Sequence, residues 1–183
     1  MQTNRYGFIR RILHWVVALS GLGLLAVGML FYFLDIEGTQ KLLGTDTTTM
    51  LLKYHKSFGI VVLFAALLIF FLRKSSGVPA YEPQLTFLLR WPSKLVHWLM
   101  IIGLIAMPIL GWLATAAAGK PVQFFDWTLP GIIGENKQLA ATLFHYHSQV
   151  GLVLLALVGI HLLGVFVHGK VAHDNINSRM SLL

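Results

Sequence analysis

Four stretches of this chain are too long, too apolar and too free of charge to fold in water, and they constrain everything else. A membrane-spanning helix needs about 20 mostly apolar residues. Residues 12–34 contain no Asp, Glu, Lys or Arg. A second run lies between Lys56 and Arg73, extended back through residues 54–57. A third fills the gap between Lys94 and Lys120, with Pro108 as a kink. The fourth lies between Lys137 and Lys170 and is most strongly apolar over residues 150–167. These runs predict spans over residues 12–34, 54–72, 95–118 and 142–168. With 11% charged residues against roughly 25% in soluble domains, the chain could not coat its own surface. The expected fold is an all-α membrane protein, one four-transmembrane-helix bundle over residues 1–183.

The first span is expected to stay on the protein, because its apolar run is too long for a signal peptide and no small-residue cleavage site precedes Asp35. Four spans put both termini on one side. That side collects Arg5, Arg10, Arg11, Arg73, Lys74, Arg90, Lys94, Lys170 and Arg179, while the other holds Lys41, Lys53, Lys56, Lys120 and Lys137. All the arginines share one face, so both termini are expected in the cytoplasm. No basic run of the density that nucleic acid requires occurs elsewhere. Residues 35–53 and 119–137 read as external loops, and residues 75–93, with Pro79, Pro83 and Pro92, as the cytoplasmic one. Of Trp15, Trp91, Trp98, Trp112 and Trp127, most fall near helix ends, and an aromatic belt explains most of them.

Ionisable residues inside spans mark function by default, and here they form a pattern. His14 opens the first span at the inner side, His55 opens the second at the outer side, and the fourth carries His147 and His161. Fourteen residues at about 1.5 Å each separate the last two by about 21 Å and return the side chain to within about 40° of its starting direction. Depth matches His14 with His161 and His55 with His147. Two facing imidazoles without a carboxylate or thiolate make a poor zinc site, but they suit haem iron, whose other four ligands come from the porphyrin. Zero cysteines exclude covalent haem attachment and thiolate iron–sulfur clusters. The reading is therefore two b-type haems, with the iron held by His14, His55, His147 and His161. His145 lies two residues before His147, which turns it about 200° away.

Gly21, Gly59 and Gly151 sit on the faces of the ligand histidines, where a missing side chain lets a ring edge approach the backbone. Glycines also pack helices together in membranes. Propionates would find Arg10 or Arg11 inside and Lys53 or Lys56 outside, residues that equally suit headgroup anchoring. His97 reads as interfacial packing, a propionate partner or part of a quinone site. His168, seven residues after His161 on the same face, reads as a proton donor to a quinone or as an interfacial histidine. His173 reads as solvated.

The sequence resembles the bacterial cytochrome b561 family of four-helix di-haem membrane cytochromes, relatives of the cytochrome b subunits of nickel–iron hydrogenases and formate dehydrogenases. The residues carrying the likeness are His14-Trp15, His55-Lys-Ser-Phe-Gly59, Pro108-Ile-Leu-Gly-Trp112, His147-Ser-Gln-Val-Gly151 with His161, and Asp174-Asn-Ile-Asn-Ser-Arg-Met180. The resemblance implies transmembrane electron transfer by an oxidoreductase. It also implies the stand-alone members' chemistry, in which superoxide gives electrons at the outer face and ubiquinone receives them. Lys53, Lys56 and Lys137 would then draw the small anion inward, against external Asp35, Glu37, Asp46, Asp126 and Glu135. The alternative is a relay subunit between a partner dehydrogenase or hydrogenase and the quinone pool. A histidine-lined proton or metal transporter, colourless when purified, is the reading without haem.

Overall fold

The computed structural model describes residues 5–77, 79, 87–168 and 177–182. Lys170, His173, Asp174, Pro83 and Glu82 lie outside the described residues. Four long helices dominate: α1 (Phe8–Leu43), α2 (Thr45–Ser76), α3 (Phe87–Ala117) and α4 (Lys137–Phe166). Each is long and apolar enough to cross a membrane. Bulky apolar side chains such as Leu19, Phe33, Phe64 and Phe166 point outward and stay exposed, as a lipid-facing surface requires. A hairpin, β1 (Val122–Phe124) with β2 (Trp127–Leu129), joins α3 to α4, and a 3₁₀ turn (Asn177–Met180) follows α4.

The helices outrun the charge-free windows. Residues 35–53, expected as an external loop, are almost wholly helical. The chain only bends at Asp35 (φ 53°, ψ −172°) and turns at Gly44 (φ 84°). Asp35 restarts the helix itself: its Oδ1 accepts the Gly38 N–H at 2.8 Å and its carbonyl accepts the Thr39 hydroxyl at 2.6 Å. This is side-chain capping at a break. Charge marks where a helix leaves lipid, not where it ends. α3 likewise starts well before Lys94, carrying Pro92 in its early turns and Pro108 midway.

The expected loop 119–137 contains the hairpin, paired Val122↔Leu129 and Phe124↔Trp127. Its tip forces Phe125 to φ 52°, a conformation that costs a non-glycine residue about 1–2 kcal/mol. The fully buried Ser57 on α2 offsets that cost. Its Oγ accepts the Phe125 N–H at 2.7 Å and donates to the Lys53 carbonyl at 2.8 Å. The Phe125 ring packs against Tyr54 and Phe58. Asn136 then caps α4, accepting the Leu139 N–H at 3.0 Å.

Two helix pairs make the bundle, α1 on α2 and α3 on α4, with α2 also against α3 and little contact between α1 and α4. Gly103 sets the α3–α4 approach, since a Cβ there would lie 2.7 Å from Leu154 Cδ2. Leu25, Leu154 and Leu157 form a small core with Met100, Leu104 and Met107 packed on it. The described ends of the chain meet at one end of the bundle, the termini end. There the Tyr6 N–H donates to the Arg179 carbonyl at 3.2 Å, and Trp15 Nε1 donates to the Met180 carbonyl at 2.9 Å. The hairpin lies at the opposite end.

Candidate functional site

A cavity of about 1340 Å³ runs between the two helix pairs, larger than the roughly 300–1,000 Å³ typical of a site for one small ligand. His14, His55, His147 and His161 all line it. Its helices bring these residues together in the order the spacing predicts. His14 on α1 faces His161 on α4 with ring centroids 6.4 Å apart, and His55 on α2 faces His147 on α4 at 6.2 Å. A metal–imidazole nitrogen bond is about 2 Å, and a ring centroid sits roughly 1 Å behind its nitrogen. Imidazoles on opposite sides of one metal therefore have centroids roughly 6 Å apart. Both pairs meet that spacing.

Local features fit a flat bulky ligand rather than side-chain packing. A Cβ built on Gly21 or Gly59 meets nothing within 4 Å, and both glycines line the cavity. His14 Nδ1 and His55 Nδ1 are buried without a hydrogen-bond partner, which is costly for a histidine whose role is packing alone. No group of three or more metal-ligating side chains occurs among the described residues, so two-sided coordination is what this cavity offers. The donors are neutral nitrogen ligands of the kind haem iron takes.

Other expected residues fall elsewhere. Gly151 is buried, but Met107 Cε lies 3.2 Å from where its Cβ would be, so it seats a methionine rather than opening onto the cavity. Arg10 lines the cavity, yet its guanidinium donates to the Gly77 carbonyl at 2.6 Å and to the Leu72 carbonyl, closing the C-terminus of α2. Arg11 turns to the Ser181 carbonyl at 2.7 Å and is not on the cavity wall. Lys53, Lys56 and Lys137 do not line it either. Lys53 pairs with Asp126 at 2.7 Å, and that hydrogen bond and charge hold the Asp126 carboxyl below its usual range. The expected anion funnel therefore loses one of its cations. Lys56 Nζ donates to the Pro121 carbonyl at 3.4 Å, and Lys137 stands exposed at the start of α4.

His145 is exposed beside Tyr146, because a two-residue offset on a helix points away from the facing ring. His97 does more than pack at an interface. Its ring stands edge-on to His161 at 5.2 Å and 86°, its Nδ1 donates to the Ser93 carbonyl at 2.5 Å, and it lines the cavity. His168, 7% exposed, lines the termini end. Arg73, Lys74, Arg90, Lys94 and Arg179 join Arg10 there, and no carboxylate lines the cavity among the described residues.

Sequence reasoning missed the seat of His147. Its Nδ1–H donates to the Met107 carbonyl at 2.9 Å. A Cβ on Gly111 would lie 3.0 Å from His147 Cε1 and 3.1 Å from Nδ1. A Cβ on Gly28 would meet His55 Cε1 at 3.7 Å, an ordinary contact, so the His55 side has no comparable requirement for glycine. The only signal was the placement of Gly111 within Pro108-Ile-Leu-Gly-Trp112, which does not say what faces it.

The sequence profile of the prokaryotic cytochrome b561 family matches residues 5–181. Cytochrome b561 homolog 2 of Escherichia coli K12 is 24% identical over 178 residues, covering 97% of this chain and 91% of that protein. Cytochrome b561 homolog 1 of the same organism is 23% identical over 180 residues, covering 97% of each chain. A Yersinia pestis protein named "Probable superoxide oxidase CybB" is 24% identical over 177 residues, covering 97% of this chain and 96% of that one.

Proposed function

The chain belongs to the prokaryotic cytochrome b561 family, membrane electron-transfer proteins that bind haem b, and from that premise we propose that it carries electrons from superoxide outside to ubiquinone in the bacterial inner membrane. The observation that supports this reading is the pair of facing imidazole couples, 6.4 and 6.2 Å between centroids, in one cavity. In it, His14 and His161 hold one haem b, and His55 and His147 the other. A haem held by two histidines would supply reversible one-electron transfer there.

The chain's own residues set the surroundings. The termini end, rich in arginine, faces the cytoplasm, and the hairpin end faces out. Val17, Leu25, Val62 and Leu154 give the cavity apolar walls. Outside, Lys56 and Lys137 with nearby Lys120 remain to attract a small anion, Lys53 being matched by Asp126. The name of the Yersinia relative supports superoxide as that anion. Two superoxide anions each give up one electron and leave as dioxygen, while one ubiquinone takes both electrons and two protons to become ubiquinol. His168, buried on the cavity wall at the termini end, is positioned to pass a ring N–H proton to the quinone.

The test is a haem stoichiometry and reduced-minus-oxidised spectrum of the purified protein, followed by stopped-flow mixing with superoxide. Two haems per chain and rapid reduction are expected. A colourless protein defeats the haem reading, and a di-haem protein inert to superoxide defeats the choice of donor alone.

A further inference from the structure

The four facing imidazoles are not equivalent. His147 donates its Nδ1–H to a backbone carbonyl, that of Met107, at 2.9 Å, whereas Nδ1 of His14 and of His55 is buried with no partner. The carbonyl belongs to the turn just before Pro108, on a helix packed closely against α4. The ring reaches it because residue 111 has no side chain: a Cβ there would stand 3.0 Å from Cε1 and 3.1 Å from Nδ1, the edge that makes the bond, but 3.9 Å from Nε2. We infer that Gly111 and the Met107 carbonyl form a seat that orients His147 and makes the site at the hairpin end electronically distinct from the one at the termini end.

The physics is that of outer-shell hydrogen bonding. A carbonyl that accepts the Nδ1 proton fixes the tautomer, leaves the Nε2 lone pair for the metal, and makes the imidazole a stronger donor. Stronger donation stabilises the oxidised metal and lowers the reduction potential of that site. The seat therefore favours electrons leaving the hairpin-end site for the other. Gly111 acts through His147 as a positioning residue and touches no reacting atom.

This inference rests on the di-haem reading, and its test separates the two. Redox titration of the wild-type holoprotein, followed by haem absorbance, is compared with Gly111→Ala and with Gly131→Ala. A Cβ on Gly131 would meet Ala116 of α3 at 3.5 Å, an ordinary contact, and neither residue lines the cavity. Gly111→Ala is expected to raise one midpoint potential, or to release one haem, while the other haem keeps its potential; Gly131→Ala leaves both potentials in place. Wild-type protein without two haems defeats the underlying reading. Two haems with potentials unmoved in Gly111→Ala, equal shifts at both, or equal shifts in the two variants overturn the seat. Should Gly111→Ala fail to accumulate, the reduced wild type labelled with ¹⁵N-histidine decides. One ligand Nδ1–H exchanging with deuterium more slowly than the others supports the seat, and four equal rates overturn it.

Discussion

His55 and His147 come from different helices and different halves of the chain, yet their rings face each other across 6.2 Å, with the ring of Phe31 at 6.4 Å from His55. The spacing equals two metal–nitrogen bonds plus the depth of two rings. His14 and His161 repeat it at the other end of the cavity. Such repetition is hard to obtain from packing alone, because helix rotation at each crossing would have to satisfy it twice.

The pairing makes the two sites separable. His55→Ala is expected to remove one haem and spare the other, and His161→Ala to do the reverse. Pyridine haemochrome stoichiometry on purified protein gives about half the wild-type haem in each case. Retention of both haems in either variant ends the ligand assignment.

Gly59 opens onto the cavity with nothing within 4 Å of its absent Cβ. Gly59→Leu should push a side chain into the space beside His55 and displace the ligand there, while the helix keeps forming because leucine is the better helix former by roughly 1 kcal/mol. Soret absorbance per protein is expected to fall while far-ultraviolet circular dichroism is unchanged. The open Gly134 in the loop before α4 is the control, and Gly134→Leu should leave the haem content intact.

Ser57 anchors the hairpin by accepting the Phe125 N–H while fully buried. Ser57→Ala leaves that donor unsatisfied, at a cost of about 1–3 kcal/mol. The strained Phe125 should then relax and free the tip. Faster amide exchange at residues 122–129 is expected, with exchange in α4 unaffected.

Asp126 and Lys53 form an exposed pair whose carboxyl sits below its usual range because of the lysine. A depressed folded-state value means the pair is intact at neutral pH and is lost only as pH falls through that lowered value. At neutral pH, Asp126→Asn frees the Lys53 charge, so the superoxide reaction should quicken by less than about tenfold and fall more steeply with salt. Stopped-flow rates at several ionic strengths measure both. An unchanged rate and salt slope would show that Lys53 does not steer the anion.

Much of the architecture was legible because it depends on local regularities. Charge-free length identified four crossings, and the membership expected from His14-Trp15, His55 to Gly59 and the fourteen-residue spacing was matched across residues 5–181. The spacing also separated His147 from His145, since two residues of one helix hold a fixed angle whatever surrounds them. The long helical extensions beyond Asp35 and before Lys94 were not legible, because polar residues are compatible with either a loop or a helix outside lipid.

Sequence alone determined which residues lie on one face of one helix and at which depth, because helical geometry is rigid and set by the backbone. Only tertiary structure decided what each face meets: the Met107 carbonyl and bare Gly111 against His147, Asp126 against Lys53, Met107 rather than open space against Gly151. Those contacts depend on how far each helix rotates and slides against its neighbour, and that is settled by all the side chains at the interface together.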